Sequence, residues 1–316
     1  MSRASKGDLL RTLFRNEQTE LVPFGVLPIH AQMAQRAGFK AFHISGAMAS
    51  WWLTGSPDVG MMTRTEVIDN ARRVARCVDI PVYCDADTGF GGVQNVRRTV
   101  EEFIEAGIAG IHIEDQLDPK KAGGQAGIEL VSDGEAVGRL NAAIEVRDAL
   151  DKEFVITART DGYGTSGGGL DEAIRRGRLY REHTSADVIF FEGIRTWDEI
   201  GTALASVDGP TYAIASRHAG PAPSLPEMTR MGQSIAIVPF IIPGVQEAWK
   251  LLLRVRDAGD VGPFDKYLSE AFALEGCEEF VGYGDAFVDP TYKEVREFEE
   301  RFLPPERQRD YDTIHD

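Results

Sequence analysis

PVYCDAD (Pro81–Asp87), NVRRTVEEFIEA (Asn95–Ala106) and GIHIED (Gly110–Asp115) together decide the fold. The first and third are short apolar runs without alternating polarity, the pattern of strands buried on both faces of a parallel sheet. The middle segment spaces its apolar residues at a helical period and stops at Gly107. Further strands are predicted at Leu21–Leu27, Ala41–Ser45, Val155–Thr160, Asp187–Gly193, Thr211–Ser216 and Ser234–Phe240, with a helix over Asp133–Leu150 and a helix end at Gly38. Eight strand–helix alternations have one common closed solution, the (β/α)8 TIM barrel of roughly 250 residues. An open doubly wound sheet is the alternative α/β arrangement.

The chain has 316 residues, 43% of them hydrophobic. We expect one TIM-barrel domain over residues 1–316, with the barrel over about 18–258 and a helical C-terminal extension over about 259–316. The extension carries DKYLSEAF, VREFEERF and the charged end PPERQRDYDTIHD, helices suited to packing on a neighbouring subunit.

A formal charge of −16 and a pI near 4.9 leave no basic stripe for phosphates, so neither nucleic acid nor an anionic membrane is an expected partner. The longest apolar stretch, Ile235–Val245, is shorter than a membrane span and holds two prolines. The first residues, MSRASKGDLLRTLFRN, lack the apolar core of a secretion signal. Cys77, Cys84 and Cys277 fall in no metal-ligand spacing and read as reduced thiols. A soluble, cytoplasmic protein is expected.

Catalytic groups of a barrel stand at the C-terminal ends of its strands. Here those ends carry Ser45-Gly46-Ala47, Asp85-Ala86-Asp87, His112-Ile113-Glu114, Arg159-Thr160-Asp161 and Glu192-Gly193. Carboxylates crowded at one mouth repel one another unless a cation compensates them, and hard oxygen donors favour Mg2+, with Mn2+ as a substitute. Alternatively, single members of the set cap helices. Arg159 suits a carboxylate clamp, or an ion pair with a neighbouring acid. The polar stretch Gln116–Asp133, with Lys120 and Lys121, reads as a lid over an anion or as a solvated loop.

AGFKAFHISGA (Ala37–Ala47), DADTGFGG (Asp85–Gly92), GIHIEDQ (Gly110–Gln116) and ARTDG (Ala158–Gly162) together resemble the isocitrate lyase/phosphoenolpyruvate mutase family, and most closely its methylisocitrate lyase-like branch. The similarity runs from about Leu21 to Leu253. It implies a TIM barrel, assembled as a homotetramer by exchange of C-terminal helices. It also implies a Mg2+ site anchored by Asp87 and completed by Asp85 and Glu114, with Asp58 nearby. Ser45, Gly46 and Ala47 match the segment that holds a substrate carboxylate, with Asp85 beside it, and Arg159 matches the catalytic arginine. Ser216 begins the loop that grips the distal end of the substrate.

The departures are equally specific. Family lyases carry Lys-Lys-Cys-Gly-His in the lid, whereas this chain reads Lys120-Lys121-Ala122-Gly123-Gly124 and so lacks the cysteine acid. His43 stands where a tyrosine is usual, Ser216-Arg217-His218-Ala219 replaces Asn-x-Thr-Glu, and Trp51 and Trp52 replace small residues. The phosphonate branch reads Glu-Asp-Lys with a later Asn-Ser, and neither occurs here. The expected activity is Mg2+-dependent lysis (or formation) of a carbon–carbon bond in a substituted 2-hydroxy acid, through an enolate. His43 and His218 are candidates for the missing acid, and Lys121 and Glu192 complete the catalytic set. An oxaloacetate-type 2-oxo acid decarboxylase or C–C hydrolase, and a non-catalytic binding protein on the same scaffold, are the alternatives.

Overall fold

The computed structural model describes residues 4–125, 127–216, 218–272 and 291–309. Helix α1 (Lys6–Arg15) precedes strand β1 (Glu20–Gly25), and α2 (Pro28–Arg36) leads to β2 (Phe42–Ile44). The one-turn helix α3 (Gly46–Ala49) runs into a π-turn at Ser50–Thr54, before α4 (Arg64–Arg76) and β3 (Val82–Asp85). Then follow α5 (Val93–Glu105), β4 (Gly110–Glu114), α6 (Asp133–Leu150), β5 (Val155–Thr160) and α7 (Leu170–His183). The barrel is completed by β6 (Val188–Ile194), α8 (Trp197–Ala205), β7 (Thr211–Ala215), α9 (Leu225–Arg230) and β8 (Ile235–Val238).

The eight strands pair in parallel in the order β7-β6-β5-β4-β3-β2-β1-β8. A bridge between Thr211 and Gln233, with the Ser234 N–H donating to the Thr211 carbonyl at 2.9 Å, brings β7 to β8. This is the TIM barrel expected from the βα repeats. Val155–Thr160 and Asp133–Leu150 fall where their patterns put them, and other strands differ by one to three residues at their ends. Asp87 lies outside β3 because its backbone takes a left-handed turn (φ 46°).

Two apolar clusters hold the barrel. One lies between strands and outer helices, with Val100, Phe103, Ile111, Ile156 and Phe191 among its fully buried members. The other fills the floor, where Leu10, Leu13 and Phe14 of α1 meet Val22, Tyr83, Val155, Phe190, Tyr212 and Ile235. Polar ties pin α1 there. Lys6 Nζ donates to the carbonyls of Ala75 and Val78 (3.0 and 2.7 Å), and Arg11 donates to Glu153 and Asp187 (2.8 and 3.0 Å). Ala75 lies in the last turn of α4, and Val78, Glu153 and Asp187 lie in helix-to-strand connections, so α1 closes the end opposite the strands' C-termini.

All eight strands lie in a compact unit that ends at Ile241. Residues 242–316 cluster as a second unit, built from α10 (Ile241–Ala258), α11 (Gly262–Phe272) and α12 (Thr291–Phe302). Its Trp249, Leu252, Phe298 and Phe302 are all more than 60% exposed. Cys277 lies outside the described residues, and Cys77 and Cys84 are unbridged. Among the described residues no helix is long and apolar enough to cross a membrane.

Candidate active site

Strand β3 ends on Asp85, and the chain then turns sharply. Asp87 and Phe90 take φ of 46° and 61°, a region that Asp tolerates better than most side chains. Asp85 Oδ1 accepts the Asp87 N–H at 2.9 Å, and Oδ2 accepts the Gly46 N–H at 3.3 Å. A Cβ at Gly46 would stand 2.6 Å from that second oxygen, so only glycine permits the approach. The turn delivers the Asp87 carboxylate to Lys120.

Lys120 enters from the loop after β4. Its Nζ lies 2.5 Å from Asp58 Oδ1 and 2.6 Å from Asp87 Oδ1, and the residue is only 2% exposed. Burial pushes its pKa down, but Glu114, Asp87, Asp85 and Asp58 outweigh that and hold it above the usual lysine value. Gln116 fixes the loop. Its amide donates to the Lys121 carbonyl and accepts the Lys121 N–H, both at 2.9 Å, a reciprocal pair that lysine cannot make. The Ala122 N–H donates to the Asp58 carbonyl at 3.0 Å. Any Cβ at Gly123 would overlap Glu192 and stand 2.7 Å from Arg159 Nη2.

Arg159, on β5, sits at the centre of the charges. It grips Asp161 with two hydrogen bonds of 2.9 and 3.0 Å. Nη1 lies 3.1 Å from Glu114 Oε2 and 3.8 Å from Asp85 Oδ2, and Nη2 lies 3.7 Å from Glu192 Oε2. Behind it, the Asp161 N–H donates to Asp115 Oδ1 at 2.9 Å. Asp115 Oδ2 in turn accepts from Tyr180 Oη (2.6 Å) and Arg176 Nη1 (3.3 Å) of α7. Helix α7 thus steadies the guanidinium through two carboxylates.

Beneath the charges lie His43 and His112, their Nε2 atoms 3.2 Å apart, with His112 Nδ1 3.6 Å from Asp85 Oδ1. Burial lowers them to about 4 and about 3, so both are neutral at pH 7 and one donates to the other. The carboxylates are under-compensated. Asp58, Asp85, Asp87, Glu114, Asp161 and Glu192 face the cations Lys120 and Arg159, six acids against two. Burial pushes Asp87 up to about 6, Glu192 up to about 7 and Glu114 well above its usual range, with Lys120 pulling all three the other way and Arg159 joining it on Glu192 and Glu114. Asp85 goes down. Against burial, the charges of His112 (in its acid form), Lys120 and Arg159 hold it ionised. Since His112 is neutral above about pH 3, Lys120 and Arg159 do so at neutral pH.

The family model described as phosphoenolpyruvate phosphomutase matches residues 18–250. The chain belongs to the phosphoenolpyruvate mutase/isocitrate lyase family. The 2,3-dimethylmalate lyase of Eubacterium barkeri is 37% identical over 242 residues, 76% of this chain and 80% of that protein. The solved structure of oxaloacetate acetylhydrolase with 3,3-difluorooxalacetate has a TM-score of 0.75 and 32% identity, covering 82% of this chain and 88% of that one. Phosphonopyruvate hydrolase, solved with oxalate and Mg2+, has a TM-score of 0.79 and 26% identity over 95% of this chain and 100% of its own.

A divalent metal suits this family member's donors but not their present arrangement. The donors are hard oxygens: Glu114 Oε1 is buried without a hydrogen bond, while Glu114 Oε2 faces Arg159 Nη1 at 3.1 Å and Asp87 Oδ1 faces Lys120 Nζ at 2.6 Å. Yet among the described residues no three metal-binding groups stand around one point. The ammonium of Lys120 lies between them instead.

Of the residues expected from sequence, Asp58, Asp85, Asp87, Glu114, Arg159 and Glu192 converge on one mouth. Lys121 does not join them. The Gln116 clamp holds its backbone, and its Nζ donates to the Gly127 carbonyl at 2.8 Å, so Lys120 is the loop lysine of the site. Ser45 caps α3, accepting the Met48 N–H at 3.4 Å, and Ala47 lies within that turn. Ser216 is half-buried after β7, where its Oγ accepts the N–H of the exposed His218 at 3.2 Å. Arg217 lies outside the described residues. His43 reaches the site as a neutral ring under Asp85 rather than as an imidazolium acid. Sequence reasoning placed His112 and Asp161 at strand ends and Lys120 in the lid, but gave none of them a catalytic, substrate-binding or metal-binding role of its own. Asp161 was open to a simple signal, since residues two apart on a strand share a face and Arg159 is two before it.

Proposed function

We propose that this protein is a Mg2+-dependent carbon–carbon lyase acting on a small substituted 2-hydroxy acid, to give a 2-oxo acid and a carboxylate, or the reverse. One observation carries the reading: Asp85, Glu114, Arg159 and Glu192, from four successive strands, meet Lys120 and Asp87 within one mouth. Asp58, Asp85, Asp87 and Glu114 would hold Mg2+, Mn2+ being its substitute. When bound, the ion would draw charge from the oxygens of the 2-oxo acid as the bond breaks.

The chain's own groups supply the rest. Arg159 offers positive charge where the carboxylate of the substrate sits, its plane fixed by Asp161. Glu192, pushed up to about 7 by burial, holds its proton in about half of the molecules at neutral pH and can give it to an enolate carbon. Ala122 transfers no proton, so this assigns to Glu192 the acid role of the absent lid cysteine. Gly123 brings the loop down on Glu192 and Arg159, which keeps bulk water from the pair.

An oxaloacetate-type C–C hydrolase or decarboxylase is the second reading. Ala122 favours it, because solvent can protonate an enolate, and so does the likeness to oxaloacetate acetylhydrolase. A proton NMR product screen, with and without Mg2+, separates the two. The panel holds 2-hydroxy di- and tricarboxylates and 2-oxo diacids, with Asp87→Ala as control. Metal-dependent release of pyruvate or glyoxylate with a second acid supports the lyase. Oxalate and acetate, or CO2 loss, from oxaloacetate alone supports the second reading. Silence without Mg2+ binding returns the protein to a binding role. We further propose a cytoplasmic homotetramer, a dimer of dimers, assembled through the exposed apolar residues of the second unit.

A further inference from the structure

One step above the floor, the side chains that face the barrel interior form a ring whose two halves differ. Val22, Tyr83, Phe190, Tyr212 and Ile235 belong to the floor, and residues two further along each strand share their face. Those residues are Phe24, Asp85, Glu192, Ile214 and Ile237. Gly25 fixes the sense of β1: a Cβ on it would meet His30 Cβ of α2 at 2.7 Å, so Gly25 faces outward and Phe24 inward. From β2 to β6 the inner face carries imidazoles, carboxylates and Arg159. On β7, β8 and β1 the ring consists of Ile214, Ile237 and Phe24, all apolar and all partly exposed. This apolar arc starts beside the acids, for Ile214 is the register partner of Glu192. It ends at Phe24, the register partner of His43, whose ring it meets edge-on at 6.5 Å.

Glu192 is the group assigned above to protonate the enolate carbon, so a substituent on that carbon lies next to Ile214. We infer that Ile214, Ile237 and Phe24 choose the substrate by taking a hydrocarbon substituent on the carbon that becomes the enolate. The inference rests on the lyase reading and narrows its substrate class to malates carrying an alkyl or aryl group at carbon 3. The polar half of the ring serves the two carboxylates and the hydroxyl of such a molecule. A third carboxylate, carried on the substituent, would shed its water against three hydrocarbon side chains that offer it no donor. An alkyl or aryl group gains by the same transfer. The next inward residue of β7, Ser216, brings an uncharged hydroxyl that already accepts the His218 N–H at 3.2 Å.

The test uses the full chain with Mg2+ and malates substituted at carbon 3 with methyl, propyl, benzyl or carboxymethyl. kcat/KM is measured for each with the wild type, Ile214→Asn and Ile237→Asn. Binding of the matching acids (propanoate, pentanoate, 3-phenylpropanoate and succinate) is measured by saturation-transfer NMR, which needs no turnover. In the wild type the best hydrocarbon malate should exceed the carboxymethyl compound by about tenfold or more. Each Asn variant should shrink that ratio, which is taken within one preparation and so does not depend on the fraction folded. A wild-type preference for the carboxymethyl compound, or a ratio that both Asn variants leave unchanged, overturns the inference and leaves the lyase reading intact. If no malate is cleaved, the lyase reading falls and the binding series decides the rest. Hydrocarbon acids ahead of succinate then keep the apolar arc as a binding wall, whereas succinate equal or ahead, or no binding at all, overturns both.

Discussion

At the residue scale, the site is governed by burial competing with charge. Glu192 shows it most directly. Its folded pKa of about 7 stands above its ordinary 4.5, so the folded state holds a proton that the unfolded chain releases. The carboxyl therefore costs the fold little below pH 4.5, costs more as pH climbs to about 7, and costs most above that. Glu192→Gln should remove this slope. Thermal melts should show the variant gaining on wild type between pH 5 and pH 8, and the pH–rate limb near 7 should vanish. A pH-independent difference in melting temperature would contradict the assignment. The acids themselves were legible in the sequence because barrel geometry puts strand ends together. Which lysine joins them was not, since Lys120 and Lys121 are identical in kind and only the Gln116 clamp decides between them. The neutral state of His43 was equally hidden, because it depends on burial beneath Asp85 and beside His112 rather than on spacing.

At the element scale, the loop after β4 and the helix before β1 carry opposite duties. The loop needs Gly123, for any larger residue meets Glu192 and Arg159. Gly123→Ala should lift it, cutting turnover by about tenfold or more while leaving the melting temperature almost unchanged, since loop changes away from the core cost little. Limited trypsin digestion checks this, with faster cleavage after Lys120 and Lys121 expected in the variant. Helix α1 instead contributes stability. Phe14 is 2% exposed and packs edge-on to Tyr83, with a ring-centroid distance of 5.5 Å. Phe14→Ala should cost about 3–5 kcal/mol in urea unfolding without altering metal affinity. The βα repeats announce the strands clearly because their continuous apolar runs leave little choice. The floor is less legible, since LRTLFR carries no mark of the barrel residues it meets.

At the scale of the whole molecule, a charge of −16 surrounds a site meant for anions. Long-range attraction is therefore not what brings the substrate in, and the local cations must do so. Salt should accordingly raise kcat/KM or leave it unchanged, where a basic enzyme would lose it. The proposed assembly would run through the second unit, whose Phe298 and Phe302 are 61% and 63% exposed. Light scattering after gel filtration should give a tetramer, and Phe298→Asp with Phe302→Asp should give a smaller species. A wild-type monomer would refute the assembly.

The floor helix also bears on how the protein is made. The ribosome releases α1 first, yet its partners Phe190, Tyr212 and Ile235 emerge only as the last strands are translated. An amphipathic segment must therefore wait, its Leu10, Leu13 and Phe14 uncovered, for most of the chain to be synthesised. Nascent chains halted before Ile235 should engage holdase chaperones through this helix, and release should coincide with delivery of β8.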